Sequence, residues 1–126
     1  MKKIIKSINA PEPVGPYNQA VLIDGTLFIS GQVAIDMETK VLYTDNIEME
    51  TKIVMKNIKT ILYEAGFSFE NVVKSTIFTV DLNNFSIINK VYGSFFESKT
   101  APARETVEVS ALPLGANVEI SVIAKK

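Results

Sequence analysis

The chain has 126 residues, 47% of them hydrophobic, with 13 basic and 14 acidic side chains and a net charge of -1. That size and apolar fraction describe one globular domain, spanning residues 1–126, built around one core. Histidine and cysteine are absent, which excludes an imidazole base, a Ser-His-Asp triad, a thiolate nucleophile, a disulfide framework and a structural zinc site. There is no overall basic excess of the kind that neutralises nucleic-acid phosphates, so no nucleic-acid partner is expected.

The opening run Met1-Lys2-Lys3-Ile4-Ile5-Lys6 holds two apolar residues where a signal peptide needs about 7–15. No stretch approaches the roughly 20 apolar residues of a spanning helix. The expectation is a cytosolic (cytoplasmic) protein without membrane attachment.

In chain order, Lys3 to Ser7 predicts a short strand. Asn9 to Pro16 carries three prolines and Gly15 and predicts a semi-rigid loop. Gln19 to Ile23 and Thr26 to Ser30 flank Asp24-Gly25, a strong hairpin signal, with Gly31 closing the second strand. Asp36 to Lys40 reads as a further turn. From Asn46 to Ala65 the spacing of Ile47, Val54, Ile58, Ile61, Leu62 and Ala65 predicts a helix, capped by Asn46 and ended by Gly66. Val72 to Val80 reads as a central strand. A second helix starts at Asn83 or Asn84 and runs through Phe85, Ile88, Val91, Tyr92, Phe95 and Phe96 until Ala101-Pro102-Ala103 breaks it.

Two final strands, near Glu105 to Leu112 and Val118 to Ala124, are joined by a turn at Pro113 to Asn117. The order is β-β-β-α-β-α-β-β, an α+β domain with two helices on one face of a six-stranded sheet. Alternation assigns Val107, Val109 and Ala111 to one face and Arg104, Thr106, Glu108 and Ser110 to the other. The apolar parity is expected beneath the helices. The polar parity faces either solvent or a neighbouring subunit.

Among residues able to carry chemistry, Arg104 comes first. It is the one arginine beside twelve lysines, and its planar fork grips a carboxylate through two parallel hydrogen bonds. The alternative is a structural ion pair with Glu105 or Glu108. Glu119 and Glu108 are the acids able to orient a water or exchange a proton, or else members of a solvated strand face. Tyr17 follows Gly15-Pro16 as a pocket wall or a packing cap. Ser30-Gly31 offers backbone groups to a ligand, or simply ends a strand. Taken alone, these residues support a carboxylate-binding site.

Several motifs in fixed order go further: Gly15-Pro16-Tyr17-Asn18-Gln19-Ala20, Phe28-Ile29-Ser30-Gly31-Gln32, Val80-Asp81-Leu82, Asn89-Lys90-Val91-Tyr92 with Phe95-Phe96, Pro102-Ala103-Arg104, Val107-Glu108-Val109 and Val118-Glu119-Ile120. With them the chain resembles the RidA/YjgF family along essentially its whole length. The resemblance implies a chorismate-mutase-like α+β fold with a six-stranded mixed sheet. It also implies a homotrimer with clefts between subunits and hydrolysis of 2-imino acids such as 2-iminobutanoate and 2-iminopropanoate to 2-keto acids and ammonia, without a cofactor or a metal. Carried over by position, Arg104 binds the substrate carboxylate and Glu119 positions or activates water. Tyr17, Ser30, Gly31 and Asn89 line the cleft, and Thr106 contributes backbone groups. Glu105-Thr106 departs from the family pattern of Ser followed by a small residue, and a carboxylate at position 105 is a competitor for Arg104, although alternation turns it to the opposite face.

Two other functions share the resemblance: a regulatory trimer binding small carboxylates, and an RNA-linked ribonuclease or translation inhibitor. A chorismate mutase follows from fold alone and would favour more than one arginine for its dicarboxylate substrate. If the last two strands form a hairpin, Glu119 lies opposite about residue 111, roughly 20 Å along the strand from Arg104. One small substrate then reaches both only where Arg104 of one subunit faces Glu119 of its neighbour.

Overall fold

A computed structural model describes residues 1–126 as one mixed sheet carrying two helices. Strands β1 (Lys3–Ile5), β2 (Ala20–Ile23) and β3 (Thr26–Gln32) form an antiparallel meander. The β2–β3 turn is made by Asp24 (φ 48°) and Gly25 (φ 75°), the two left-handed residues that a tight hairpin with native twist requires. Helix α1 (Ile47–Glu64) leads to β4 (Val72–Thr79), helix α2 (Phe85–Gly93) to β5 (Ala103–Glu108), and the chain closes with β6 (Val118–Lys125). The strand order across the sheet is β1-β2-β3-β6-β4-β5. β4 and β5 are parallel, the pairing that a crossover helix makes possible, and the other neighbours are antiparallel.

Helix α1 follows its sequence signals closely. The Asn46 side chain accepts the Met49 N–H at 2.9 Å, satisfying one of the free donors of the first turn. Gly66, at φ 77°, ends the helix in the left-handed region. Val54, Met55, Ile58, Ile61 and Leu62 are buried against the sheet, where Leu27, Ile29, Ile77, Ile120 and Val122 complete the core. Each such aliphatic side chain contributes about 1.5–3 kcal/mol of burial, so this one helix face anchors the domain. Helix α2 is shorter than its apolar pattern predicts and stops at Gly93; Phe95 and Phe96 leave the helical path and close on the Phe69 ring at centroid distances of 5.4 and 5.1 Å.

Four expectations about the strands are corrected. The last two strands form no hairpin, because β4 lies between β5 and β6 and pairs with both. β5 starts at Ala103 and ends at Glu108, earlier than the pattern suggests. Its parity is also the reverse of the expected one. Arg104 and Thr106 register with the buried Ser75 and Ile77 on the helix-covered face, whereas Val107 registers with Phe78 and is exposed on the open face. β5 is an edge strand under the thin margin of the helix layer, where Arg104 and Thr106 are half-buried rather than part of the apolar core. Gly31, finally, does not end β3; the strand continues to Gln32 through an irregularity at Ser30 and Gly31.

β6 alternates strictly between the two faces of the sheet. Val118, Ile120, Val122 and Ala124 are buried under the helices, and Glu119, Ser121 and Ile123 face the open side. That open face carries Phe28 beside Ile123 and Phe78 beside Val107, with no helix over it.

Candidate functional site

Glu119 stands at the start of β6 and forms the floor of a small cavity of about 50 Å³. Its walls are the proline-rich segment, the irregular end of β3 and the turn at Pro113–Gly115; Tyr17, Gly31, Gln32, Val14 and Leu114 all contribute. Gly31 is required by close approach: a Cβ added there would lie 2.5 Å from Glu119 Oε2. The carboxyl is half-buried, and desolvation raises its pKa above the usual carboxylate value. Tyr17 is set by the loop, its hydroxyl accepting the Val14 N–H at 3.3 Å. Ser30, although adjacent to Gly31, does not line this cavity; its hydroxyl donates to the Asn18 carbonyl at 2.6 Å.

Sequence reasoning missed what holds that wall in place. Buried Gln19 donates through Nε2 to the carbonyls of Ser7 (3.0 Å), Ala10 (3.3 Å) and Pro11 (2.9 Å), and its Oε1 accepts the Ser7 N–H at 2.6 Å. A loop with three prolines is short of donors, so a side-chain amide must supply them. That shortage was the available signal. Leu114 was also missed. It sits at φ 63° with Gly115 at φ 79°, a left-handed pair that costs a leucine of order 1–2 kcal/mol and brings residue 114 to the cavity rim.

Arg104, Asn89 and Thr106 gather elsewhere, on the helix-covered side at the β5 edge. The Arg104 guanidinium lies 5.0 Å from the Tyr92 ring centroid and 5.7 Å from that of Phe85, two α2 residues that flank it as a cation–π platform. The Tyr92 hydroxyl donates to Ser75 Oγ at 2.8 Å, which fixes the ring. Burial raises the Tyr92 pKa, and the Ser75 bond and the Arg104 charge offset part of that rise. Asn89 Oδ1 and Thr106 Oγ1 are buried polar atoms without a hydrogen-bond partner, an unusual expense in a folded chain.

The chain's two salt bridges are Lys6–Glu12 and Lys74–Glu105, so Arg104 is paired with no carboxylate. Glu105 does not compete for it. On the open face its carboxylate meets Lys74 at 3.1 Å and accepts the Thr76 hydroxyl at 2.9 Å. Glu108 is likewise engaged, accepting the Leu82 N–H at 2.9 Å, and takes no part in either group. No cluster of three or more acidic side chains forms a metal-binding set.

The predicted site residues therefore fall into two groups. Arg104 registers with Ser75 on one flank of β4, and Glu119 registers with Phe78 on the other flank. Two strand spacings and three residues of rise separate their Cα atoms by roughly 14 Å. Their side chains also leave opposite faces of the sheet. Within one chain they cannot meet on a substrate a few atoms long.

The fold is thus a helix-backed six-stranded α+β domain with an unpaired guanidinium on one face of the sheet and a half-buried carboxyl on the other. A family model described as Endoribonuclease L-PSP matches residues 7–126. A RutC family protein of Synechocystis is 47% identical over 97% of this chain and 95% of its own length. The Bos taurus 2-iminobutanoate/2-iminopropanoate deaminase is 45% identical over 98% of this chain and 90% of its own. Among solved structures, a Rid-family protein of Yersinia pestis superimposes with a TM-score of 0.96 at 46% identity, covering 100% of both chains. Escherichia coli TdcF with bound serine gives 0.91 at 36% identity, covering 98% of each. The chain belongs to the RidA/YjgF family. No helix is long and apolar enough to cross a membrane.

Proposed function

We propose that the protein is a cofactor-free deaminase of small 2-imino acids, acting as a homotrimer whose sites combine Arg104 of one subunit with Glu119 of the next. The observation that carries this reading is the pair of unfinished half-sites. Arg104 has no carboxylate and stands with the unpartnered Asn89 and Thr106 atoms, while Glu119 faces a cavity beside Gly31 and Tyr17. Deaminase relatives at 40–45% identity support the reaction. TdcF, with serine bound, is a relative that takes a small carboxylate. The apolar strip on the open sheet face supports subunit association.

In the reaction, the guanidinium holds the substrate carboxylate through a two-pronged hydrogen bond. This leaves the C=N carbon, already electrophilic, over the Glu119 carboxylate. Glu119 accepts a proton from water as the water oxygen adds to that carbon and passes it to the nitrogen, giving a neutral carbinolamine. It then takes the carbinolamine hydroxyl proton and delivers it to the amino nitrogen as the C–N bond breaks, releasing ammonia and leaving the 2-keto acid. An acid whose pKa is raised by burial exchanges protons better near neutrality than an ordinary carboxylate. Most of the rate advantage comes from holding substrate, water and acid in register. The description of the family model also suits an RNA-cleaving reading, for which this chain offers a net charge of -1 and no histidine.

The test generates 2-aminoacrylate or its butyrate homologue in situ with a serine/threonine dehydratase and follows imine decay with and without the protein. Faster decay with stoichiometric ammonia is the expected result. An unchanged decay rate removes the deaminase reading and leaves a trimer that only binds carboxylates.

A further inference from the structure

We propose that Glu50, a buried acid on α1 outside both half-sites, is a positioning residue for Glu119 and works through Asn117. The inference rests on the role given to Glu119 above. Glu50 is fully buried and lies in the first turns of α1. Its Oε2 accepts the backbone N–H of Asn117 at 2.8 Å, and its Oε1 accepts the Asn117 Nδ2 at 2.8 Å. No cation accompanies it, since neither salt bridge of the chain includes it. A buried acid without a counter-ion is expensive, and here both oxygens are used on a single residue.

That residue occupies a junction. The Asn117 carbonyl accepts the Val80 N–H and the Thr79 hydroxyl, each at 3.1 Å. One asparagine thus ties α1, the end of β4 and the start of β6 together. Its sequence neighbours Ala116 and Val118 are both buried, so the backbone there has little room of its own. Glu119 follows two residues later, and the left-handed turn that carries Leu114 to the cavity rim ends two residues before. The wall and the floor of the Glu119 cavity therefore hang from the same clamp.

The clamp has a defined hydrogen-bond polarity that can be broken and restored. In Glu50→Gln the amide NH2 must face one of two donors, so one bond is lost and two donors oppose each other. Adding Asn117→Asp reverses one partner. The glutamine oxygen then receives the backbone N–H, and its NH2 donates to the new carboxylate, with the same buried charge in total.

The experiment measures imine hydrolysis and amide hydrogen exchange in the full-length protein, in Glu50→Gln and in Glu50→Gln/Asn117→Asp. For a positioning role, Glu50→Gln lowers kcat about tenfold with KM within about twofold, since the carboxylate is held by Arg104. Exchange rises over residues 113–119 while the centre of the sheet stays protected, and the double variant recovers both. Unchanged exchange over 113–119 in Glu50→Gln overturns the proposal. A uniform rise across the whole sheet overturns it too, because the acid is then merely structural. If the wild type hydrolyses no imine but the local exchange pattern appears and is rescued, the positioning stands and the deaminase reading falls.

Discussion

Gly31 and Glu119 are in such close register that no side chain fits between them: a Cβ on residue 31 would lie 2.5 Å from the carboxylate oxygen and 2.8 Å from the carboxyl carbon. The absence of a side chain at Gly31 is therefore what lets the Glu119 carboxyl stand where it does. Gly31→Ala is expected to push the Glu119 carboxyl aside and lower kcat by about 10²-fold, the scale of a misplacement near 1 Å. The melting temperature should change little, because Glu119 sits at the rim of the core. Activity within threefold of wild type would show that the carboxyl is free to move, and that its place beside Gly31 is not the working one.

The pH dependence follows from the same carboxyl. Desolvation raises the Glu119 pKa, so the acid limb of kcat should lie above the ordinary carboxylate range. The sign is fixed by the role: the ionised form accepts the proton from water, and activity falls as pH drops through the raised value. In Glu119→Gln the limb should vanish along with about 10²–10⁴-fold in rate. A limb at the usual glutamate position in the wild type would exclude the buried form from the rate-limiting step. For stability the sign is opposite to that of a paired acid, since folding disfavours the charged form; Glu119→Gln should raise the melting temperature at neutral pH and not in acid.

Arg104→Lys keeps the charge and loses the fork. A loss of about 2–3 kcal/mol, roughly 30–150-fold in kcat/KM, matches removal of a charge-assisted hydrogen bond. Circular dichroism should be unchanged, as no protein carboxylate depends on Arg104. Near wild-type kinetics in the lysine variant would take Arg104 out of the role.

Tyr92 separates packing from hydrogen bonding. Tyr92→Phe keeps the ring beneath the guanidinium and strands Ser75 Oγ, so stability should drop by about 1–2 kcal/mol with KM unchanged. Tyr92→Leu also removes the cation–π contact, worth about 0.5–2 kcal/mol, and should raise KM several-fold. Equal KM in both variants would mean that the 5.0 Å stacking does not orient Arg104.

The legible part of the fold was its locally encoded part. Helix α1 declares itself through the repeat from Ile47 to Ala65 and through Asn46, and the first hairpin through Asp24-Gly25. The placement of β4 between β5 and β6 has no local signature, because a parallel pairing depends on a crossover helix rather than on a turn. The parity of β5 was misread for a related reason. At an edge strand the helix side is itself polar, so the rule that apolar residues face the helices loses its basis at Arg104 and Thr106. Within the candidate site, the lone arginine and the strand acid were conspicuous by composition and by family resemblance. Gln19, Glu50 and Asn117 act by bonding distant backbone, and nothing in their own neighbourhoods marks them.

The final prediction concerns sharing of the site. Arg104 and Glu119 leave opposite faces of one sheet, on strands that flank β4. A substrate only a few atoms long must touch both if one is its clamp and the other its proton acceptor. A cyclic trimer satisfies this when each cleft takes Arg104 from one subunit and Glu119 from the next. Light scattering should therefore give a trimer mass at micromolar concentration, against the general preference for dimers. Arg104→Ala and Glu119→Ala trimers, each inactive, are mixed in equal amounts, unfolded and refolded together. Random assembly gives a cleft both intact residues when an Arg-bearing chain precedes a Glu-bearing one, so about a quarter of wild-type activity should return. Sharing restricted to a single chain predicts none, because no chain in the mixture carries both residues. Absence of recovery, with mixed trimers verified by native mass spectrometry, would place both residues in one chain's site or remove Glu119 from it.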